Sequence, residues 1–578
     1  MESTILGMHD GHNASAALLQ GPRIIAAVQE ERLSRVKNQG DFPGKAVTDV
    51  LSMSGTSLSS ISKVALNGRY MIYGQWDRES LLDSFEKSGG LLTQSKQSLK
   101  GTFIDGVYQK VKSQGRAQNL ARIGFENGRI AEVVHHTAHA AAAYYGSGWK
   151  DKVLVLTCDG SGDRLSATVN IGEGGQIRRL ASIHENDSLG QLYSMVTYYM
   201  GMLPLEHEYK VMGLAPYVGS SHKATQQASI FSDLFEFDPK KPLVWQRRKG
   251  VPPMSSGYDL IRRILYRQRF DLIAAGLQQF IEAMLTQWVK NCVRETGIRR
   301  VACSGGVFMN VKANKEILAL PEVEELFVFP SCGDETNSVG AAYWAYAQER
   351  LRAGRPVDIE PLGDIYWGGC IKDGEVGAAL EAFRGQSRIR FRYAENIERL
   401  VAETLAEGHV VARAKGRMEF GARSLGNRAI LARPDRPDVI RIINDMIKNR
   451  DFWMPFAPAV LAERACDYYV KDKPMPAPYM IVAFDTHHEA RSKFPAAQHP
   501  YDYSVRPQEV SETSNPDFHR LLKYYEDITG EGIILNTSFN LHGFPIVYKP
   551  EEAIDVFDRS GLEYMALGNW WVSKNDGL

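Results

Sequence analysis

The chain has 578 residues, more than one hydrophobic core ordinarily serves, so at least two domains are expected. Its 68 Lys and Arg balance 68 Asp and Glu, which argues against a nucleic acid or an anionic membrane as partner and favours small ligands recognised locally. Cys158, Cys292, Cys303, Cys332, Cys370 and Cys466 stand far apart without a CxxC pair, no basic leader opens the chain and no stretch is apolar enough to span a membrane, so a reducing cytoplasm is expected.

From the N-terminus, Thr4 to Met8 predicts a strand, His9-Asp10-Gly11-His12-Asn13 a turn, Ala14 to Leu19 a second strand, and Ile24 to Val28, after a Gly21-Pro22 turn, a third. A helical stretch follows from Pro43 to Met53. The order then repeats: strand Val153 to Cys158, turn Asp159-Gly160-Ser161-Gly162-Asp163, strand Leu165 to Ile171, strand Ile177 to Ile183, and a helix from Gly190 to Met202. Two βββα units of this kind, facing each other across a nucleotide cleft, predict the α/β ATPase core shared by actin, heat-shock chaperones and sugar kinases.

Shortly before the second copy, His135 and His139 lie four residues apart beside and within the alanine-rich run Thr137 to Ala143. On a helix this spacing stacks both imidazoles on one face, about 6 Å apart along the axis, close enough for one metal ion. Asp159 and, in a later turn, Asp334 add carboxylates. Two imidazoles with two carboxylates suit Fe, Mn or Zn better than an all-oxygen Mg site. His136 points off that face. The alternatives are a solvated helix face and ordinary turn aspartates.

Past the second copy, Ser220 to Arg269 is polar and basic, either a solvated insertion or an acceptor-side lid. Phe270, Ile273, Leu277, Phe280, Ile281, Met284, Leu285 and Trp288 recur at helical spacing and predict a core helix. Strand Arg300 to Cys303 then enters Ser304-Gly305-Gly306-Val307 and a helix toward Ala319, and strand Leu326 to Phe329 enters Ser331-Cys332-Gly333-Asp334 and a helix from Asn337 to Arg350. Such Gly-rich strand-to-helix turns present backbone N–H groups to phosphate.

Pro and Gly accumulate between Gly354 and Gly369, and a boundary there divides the chain into expected domains 1–358 and 359–578. The second domain is expected to hold a helix from Ile397 to Glu407, an apolar run from His409 to Ala412, a helix near Ile440 to Met446 and an apolar stretch from Gly532 to Leu535. Between them, Lys415, Arg417, Arg423, Arg428 and Arg433 crowd a Gly-rich loop, a concentration that is costly unless an anion neutralises it. Lys448, Arg450 and Arg506 follow, with Asn536-Thr537-Ser538-Phe539-Asn540 offering neutral hydrogen bonds to a carbamoyl-like amide or a ribose. A basic solvated surface is the alternative.

In this order, several segments closely resemble the O-carbamoyltransferase family of nodulation protein U and the tobramycin, cephamycin and ansamycin carbamoyltransferases, over nearly the whole chain. They are His12-Asn13-Ala14-Ser15-Ala16-Ala17, Glu30-Glu31-Arg32 with Arg35 and Lys37, His135-His136-Thr137-Ala138-His139, Asp159-Gly160-Ser161-Gly162, Glu208-Tyr209-Lys210-Val211-Met212-Gly213-Leu214, Ser304-Gly305-Gly306-Val307, Gly416-Arg417-Met418-Glu419-Phe420-Gly421 and Asn536-Thr537-Ser538-Phe539-Asn540. The resemblance implies a duplicated actin/heat-shock-chaperone-like (ASKHA, RNase H-like) N-terminal domain, related to the Kae/Gcp ATPase of tRNA threonylcarbamoyladenosine synthesis. It implies a YrdC-like α/β domain behind it. The second domain would join carbamoyl phosphate and ATP, supplied as Mg-ATP, into carbamoyladenylate. The first would pass the carbamoyl group to a hydroxyl of a small-molecule acceptor such as a secondary metabolite.

By the same resemblance an Fe(II) or other divalent site falls on His135, His139, Asp159 and Asp334, and the transfer-step histidine on His12. Nucleotide contacts of the first domain fall on Gly160, Gly162, Lys210, Gly213, Ser304, Gly305, Gly306 and Asn310. Carbamoyl phosphate and ATP contacts of the second fall on Arg417, Glu419, Arg423, Asn427, Arg428, Lys448, Arg450, Arg506, Asn536, Ser538 and Asn540. One region departs: the family's His-x-Asp-x-Thr-x-Arg-x-Gln pattern appears as Asp502 to Gln508 with Ser504 for Thr and His499 displaced. An acceptor pocket is expected in Ser220 to Arg269 or Gln75 to Arg116. The rivals are a tRNA threonylcarbamoyl transferase, a sugar or acetate kinase, which leaves the second basic domain unexplained, and a non-catalytic ATP-binding module.

Overall fold

The computed structural model of the protein describes residues 3–69, 82–83, 85–86, 115–125, 130–219, 222–385 and 388–574. It divides into two compact units, Met1–Glu30 with Asn38–Leu362, and Glu31–Lys37 with Gly363–Leu578. The division falls after Leu362, and the short segment Glu31–Lys37 groups with the second unit.

In the first unit, β1 (Thr4–His9), β2 (Ser15–Gln20), β3 (Arg23–Gln29), β4 (Lys63–Asn67) and β5 (Ile130–Val133) form a five-stranded sheet in the order β3-β2-β1-β4-β5. A second sheet holds β6 (Val153–Gly162), β7 (Leu165–Glu173) and β8 (Gln176–His184). A ribbon of β9 (Phe235–Phe237) and β10 (Trp245–Arg247) stands apart, and β11 (Arg300–Ser304) and β12 (Glu325–Val328) complete the second sheet in the order β12-β11-β6-β7-β8. In each sheet the first three strands form an antiparallel meander and the last two add in parallel. One topology is therefore present twice, the duplicated actin-like ASKHA core. Ile5, Leu6 and Met8 of β1 and Val153 to Leu156 of β6 are buried whichever way they point, as strands covered on both faces require.

The helices that matter to the site are α1 (Gly44–Ser54), α2 (His135–Ser147), α3 (Leu189–Tyr199), α4 (Glu208–Leu214), α5 (His222–Ser232), α6 (Phe270–Thr296), α7 (Val311–Ala319) and α8 (Asn337–Arg352). α2 packs on β6 and β11, α8 packs on β1, β2 and β4, and the two helices pack on each other. Glycine is required where they meet: a Cβ on Gly340 would stand 2.0 Å from the carbonyl oxygen of Ala138. The buried run Ala140 to Ala143 keeps α2 slim for the same reason.

Two expectations change in detail. The turn expected at Asp159 is a continuation of β6, whose ladder with β7 is interrupted between Cys158 and Gly162; Asp163 and Arg164, at φ 50° and 67°, make the reversal. Such a bulge re-aims side chains near a site. From His222 onward the Ser220–Arg269 stretch is folded, with Trp245 buried against Trp288 of α6 at a centroid distance of 5.0 Å. Its apolar residues Phe231, Phe235 and Trp245 are buried while Lys240, Lys241, Arg248, Lys249, Arg262 and Arg263 stay exposed, so the stretch is a folded insertion with a solvated basic surface. Gln75 to Arg116 lies mostly outside the described residues.

The second unit is α/β. Its eight-stranded sheet is built from β14 (Arg390–Tyr393), β15 (Val411–Ala414), β17 (Arg428–Ala432), β18 (Ala457–Leu461), β21 (Gln508–Val510), β22 (Ile533–Ser538), β23 (Tyr564–Leu567) and β24 (Trp570–Ser573), in the order β14-β24-β23-β15-β17-β22-β18-β21. Two short ribbons pair β13 (Cys370–Ile371) with β16 (Gly416–Arg417) and β19 (Phe484–Asp485) with β20 (Ser504–Val505). α9 (Ile397–Ala406) and α10 (Pro516–Thr529) bury Val401, Leu405, Phe518 and Leu522 with Val411, Leu431 and Ile534 of the sheet. The helix expected near Ile440 to Met446 is a short α-helix, Val439–Ile443, that passes into a π-helical turn, Asn444–Lys448, and stops at Asn449 with φ 41°.

Candidate functional site

At the start of α2, four side chains from three places in the first unit converge. His135 Nε2 lies 3.2 Å from His139 Nε2, 3.3 Å from Asp159 Oδ2 and 3.3 Å from Asp334 Oδ1, and His139 Nε2 lies 3.5 Å from the same Asp334 oxygen. All four ligand atoms fall within 4.8 Å of one another. Donors held about 2 Å from one divalent ion are roughly 3 Å apart, so these residues fit such an ion, and the donor set suits Fe, Mn or Zn alike.

The charges agree with that geometry. Burial works against charge on His135, but Asp334 and Asp159 outweigh it and hold its pKa well above the ordinary value. Burial likewise opposes ionisation of Asp334, yet His135, with His139 and His9, keeps its carboxyl well below the usual range. Two carboxylates aimed at two imidazoles are a site whose charge balance a cation can take over.

The surroundings explain why glycines flank these ligands. A Cβ on Gly162 would stand 2.1 Å from the His135 ring, so this glycine makes room for the ligand. Gly306 N–H donates to Asp159 Oδ1 at 2.9 Å, and Gly305, at φ 109°, leaves only 2.3 Å between a would-be Cβ and the Cys158 carbonyl oxygen. Ser304 Oγ meets His139 Nδ1 at 3.2 Å, and the Gly160 carbonyl accepts from Ser188 Oγ at 2.6 Å. Lys210 and Gly213 lie buried in α4. Asn310 caps α7, accepting from Ala313 N–H, and its amide exchanges hydrogen bonds with Gln278, so both ends of that side chain are engaged.

His136 turns away, as its spacing predicts: its Nε2–H donates to the Leu165 carbonyl at 3.0 Å and its Nδ1 accepts from Thr157 Oγ1 at 2.8 Å. His12 is half-buried in the turn after β1. Four neighbours escaped the sequence reading. His9 is fully buried, its Nε2 3.8 Å from Asp334 Oδ2, and burial lowers its pKa to about 4, which keeps it neutral. Asn67 donates to His9 Nδ1 at 2.9 Å, Asp163 accepts from the His135 backbone N–H at 2.8 Å, and Asn337 Nδ2 reaches His139 Nε2 at 3.1 Å. His9 ends its strand in the copy corresponding to β6, and that register was the available signal.

In the second unit the basic loop is satisfied largely from within. Arg428 is fully buried and donates to the carbonyls of Lys415, Gly416, Asn427 and Gly369; burial lowers its pKa to about 10. Arg417 donates to the carbonyls of Trp367 and Gly368. Glu419 accepts from the N–H groups of Leu425 and Arg428 and from Ser424 Oγ, which staples the loop, and Asn427 accepts from Arg413 and Asn515. Arg413, absent from the expected set, is as buried as Arg428. Asn536 donates to Gln508 and to the Ser424 carbonyl, while its buried Oδ1 has no hydrogen-bond partner among the described residues. Arg423 and Arg506 are half-buried, in the loop and between β20 and β21.

Lys448 differs from these. It is 2% exposed, yet among the described residues its ammonium donates only to neutral oxygens, the carbonyls and side chains of Ser538 and Asn540. Burial, with Arg450 and Lys37 adding to it, drives its pKa well below the ordinary value. Arg450 donates to Thr537 Oγ1 at 3.0 Å and lies over the Phe456 ring. The end of β22 and the π-helical turn thus collect positive charge that no carboxylate hydrogen-bonds at Lys448 among the described residues. An anion would complement the charged form of Lys448 there.

Family comparison gives these two sites a setting. Residues 4–343 match the carbamoyltransferase N-terminus family and residues 402–574 match the carbamoyltransferase C-terminus family. The chain belongs to the carbamoyltransferase family. Among its relatives, an uncharacterized protein of Synechocystis sp. is 29% identical over 97% of this chain and 95% of its own length. Nodulation protein NolNO of Sinorhizobium fredii is 30% identical over 98% of this chain and 79% of its own, and nodulation protein U of Rhizobium tropici is 24% identical over 93% and 91%. Among solved structures, full-length HypF in its phosphate- and nucleotide-bound form matches with 13% identity and a TM-score of 0.36, over 59% of this chain and 46% of that one. No helix among the described residues of this carbamoyltransferase is long and apolar enough to cross a membrane.

Proposed function

We propose that this carbamoyltransferase makes carbamoyladenylate from carbamoyl phosphate and ATP in its second unit and transfers the carbamoyl group to a hydroxyl of a small-molecule acceptor in its first. The observation that supports activation in the second unit is Lys448, a buried lysine that meets only neutral oxygens among the described residues, beside Arg450. Carbamoyl phosphate and ATP bring the anionic oxygens that pair with such a cation, and Ser538 and Asn540 are the polar groups adjacent to it. Water releases phosphate from carbamoyl phosphate, and the resulting carbamate displaces pyrophosphate from ATP to give the mixed anhydride.

For transfer, the acceptor oxygen attacks the carbamoyl carbon, its proton passes to His12, and AMP leaves. A divalent cation held by His135, His139, Asp159 and Asp334, iron in the first instance, would supply positive charge beside the leaving phosphate. His9 stays neutral next to that charge, and the Gly305-Gly306 turn keeps Asp159 aimed inward. Mass spectrometry after incubation with ATP, carbamoyl phosphate and a panel of hydroxylated metabolites tests the reading. Carbamoylated product and carbamoyl phosphate-dependent pyrophosphate release are expected. A protein that releases no pyrophosphate under these conditions is not doing this chemistry.

A further inference from the structure

The turn that carries His12 is held by a buried residue from a distant part of the chain. Arg116 is 4% exposed and Asp10 is 4% exposed, and they form a two-pronged ion pair: Arg116 Nε donates to Asp10 Oδ2 at 2.8 Å and Nη2 to Asp10 Oδ1 at 2.8 Å. The same guanidinium donates from Nη2 to the Asn67 carbonyl at 2.6 Å and from Nη1 to the Gly68 carbonyl. It therefore ties the first residue after β1 to the end of β4, the neighbouring strand. A planar fork that meets both carboxylate oxygens fixes direction as well as distance, and a lysine cannot reproduce it.

The other side of the turn is fixed through His9. Its Nε2–H donates to the His12 carbonyl at 2.9 Å, and its Nδ1 accepts from Asn67 Nδ2 at 2.9 Å. Ala14 N–H closes the turn on the Gln39 carbonyl at 2.8 Å, and Asn13 sits at φ 59°. Asn67 thus belongs to both tethers, its carbonyl to Arg116 and its amide to His9. His9 and Asp10 are buried while His12, two residues on, is left half-exposed. The first tether holds the Asp10 side chain, two residues before His12, and the second holds the His12 carbonyl itself.

We propose that Arg116 is a positioning residue for carbamoyl transfer, holding the β1–β2 turn through Asp10 so that His12 meets the acceptor hydroxyl. The inference rests on the assignment of His12 as the transfer-step base. Displacing a reacting group by about 1 Å can cost on the order of 10²-fold in rate. It also leaves a mark that scaffolding alone does not, because the effect must pass through His12.

The experiment combines Arg116→Gln, Arg116→Lys and His12→Asn, singly and in pairs, in the full-length protein. Carbamoyladenylate formation, bound metal, thermal midpoint, and kcat and KM for the acceptor are all measured. Arg116→Gln is expected to lower transfer kcat by about 10²-fold with acceptor KM, adenylate formation and metal content near parental values. Arg116→Lys, which keeps the charge and loses the fork, is expected to fold even if the glutamine variant does not, and to lose about 10-fold. In the His12→Asn background either change should cost less than about threefold further, since the group it positions is gone. A full additional loss in that background, or parallel falls in metal content and adenylate formation, would overturn the inference and make Arg116 a general scaffold residue. A parent enzyme without measurable transfer, or a His12→Asn variant that transfers at the parental rate, would instead overturn the reading of the site on which the inference stands.

Discussion

At the scale of single residues, the candidate metal site is as much a matter of space as of ligands. Gly162 lacks the atom that would press into His135, so Gly162→Ala should push that ring out of line. Bound metal, measured by elemental analysis after dialysis, is expected to fall at least 10-fold in apparent affinity. Unchanged metal content would mean that His135 is not a ligand in the pose described. The three neighbouring histidines separate by the same measurement. His135→Ala and His139→Ala each remove a converging nitrogen and should strip the metal. His136→Ala removes two buried hydrogen bonds made elsewhere, so it should lower stability by about 1–3 kcal/mol while the ligands stay in place. Equal metal loss in all three would contradict the geometry.

Among the elements, the π-helical turn Asn444–Lys448 carries a pH dependence that can be worked out from Lys448. Burial and the nearby cations Arg450 and Lys37 put its folded pKa well below 10.5. Between the two values the unfolded chain holds more protons than the folded one, so stability rises with pH across that window. Below both values the buried charge carries its full cost. Lys448→Met should flatten the rise and raise the thermal midpoint of the ligand-free protein at pH 7. Inorganic phosphate should stabilise the parent at pH 7 and leave the variant unmoved; phosphate stabilising both alike would place the anion elsewhere. Much of this element scale was legible beforehand. The β1–β3 and β6–β8 meanders were readable because apolar runs and Gly turns recur in the same order, and the HxxxH face because a four-residue step is just over one helical turn. The π-helical turn was not, since its apolar spacing matches that of an ordinary helix. Nor was the fate of Arg428: the carbonyls that receive it come from residues 369, 415, 416 and 427, a convergence set by the path of the chain rather than by any local pattern.

On the scale of the whole molecule, each compact unit holds one of the two candidate constellations. His9, His12, His135, His139, Asp159 and Asp334 all belong to the first; Lys448, Arg450, Arg506, Ser538 and Asn540 all belong to the second. The two half-reactions should therefore be lost independently. On the proposed assignment of Arg506 to the carbamoyl phosphate site, Arg506→Ala is expected to cut carbamoyl phosphate-dependent pyrophosphate release by about 10²-fold or more, with bound metal unchanged. His139→Ala should do the reverse, losing metal while pyrophosphate release stays within about twofold. Neither variant should carbamoylate the acceptor from carbamoyl phosphate and ATP. They differ in what restores it: carbamoyladenylate made separately and added directly should recover transfer by Arg506→Ala, which lacks only the supply of the intermediate, and should leave His139→Ala inactive. If added carbamoyladenylate rescues neither variant, or if either substitution abolishes both pyrophosphate release and metal binding in a protein that keeps its thermal midpoint, the assignment of one half-reaction to each unit is wrong.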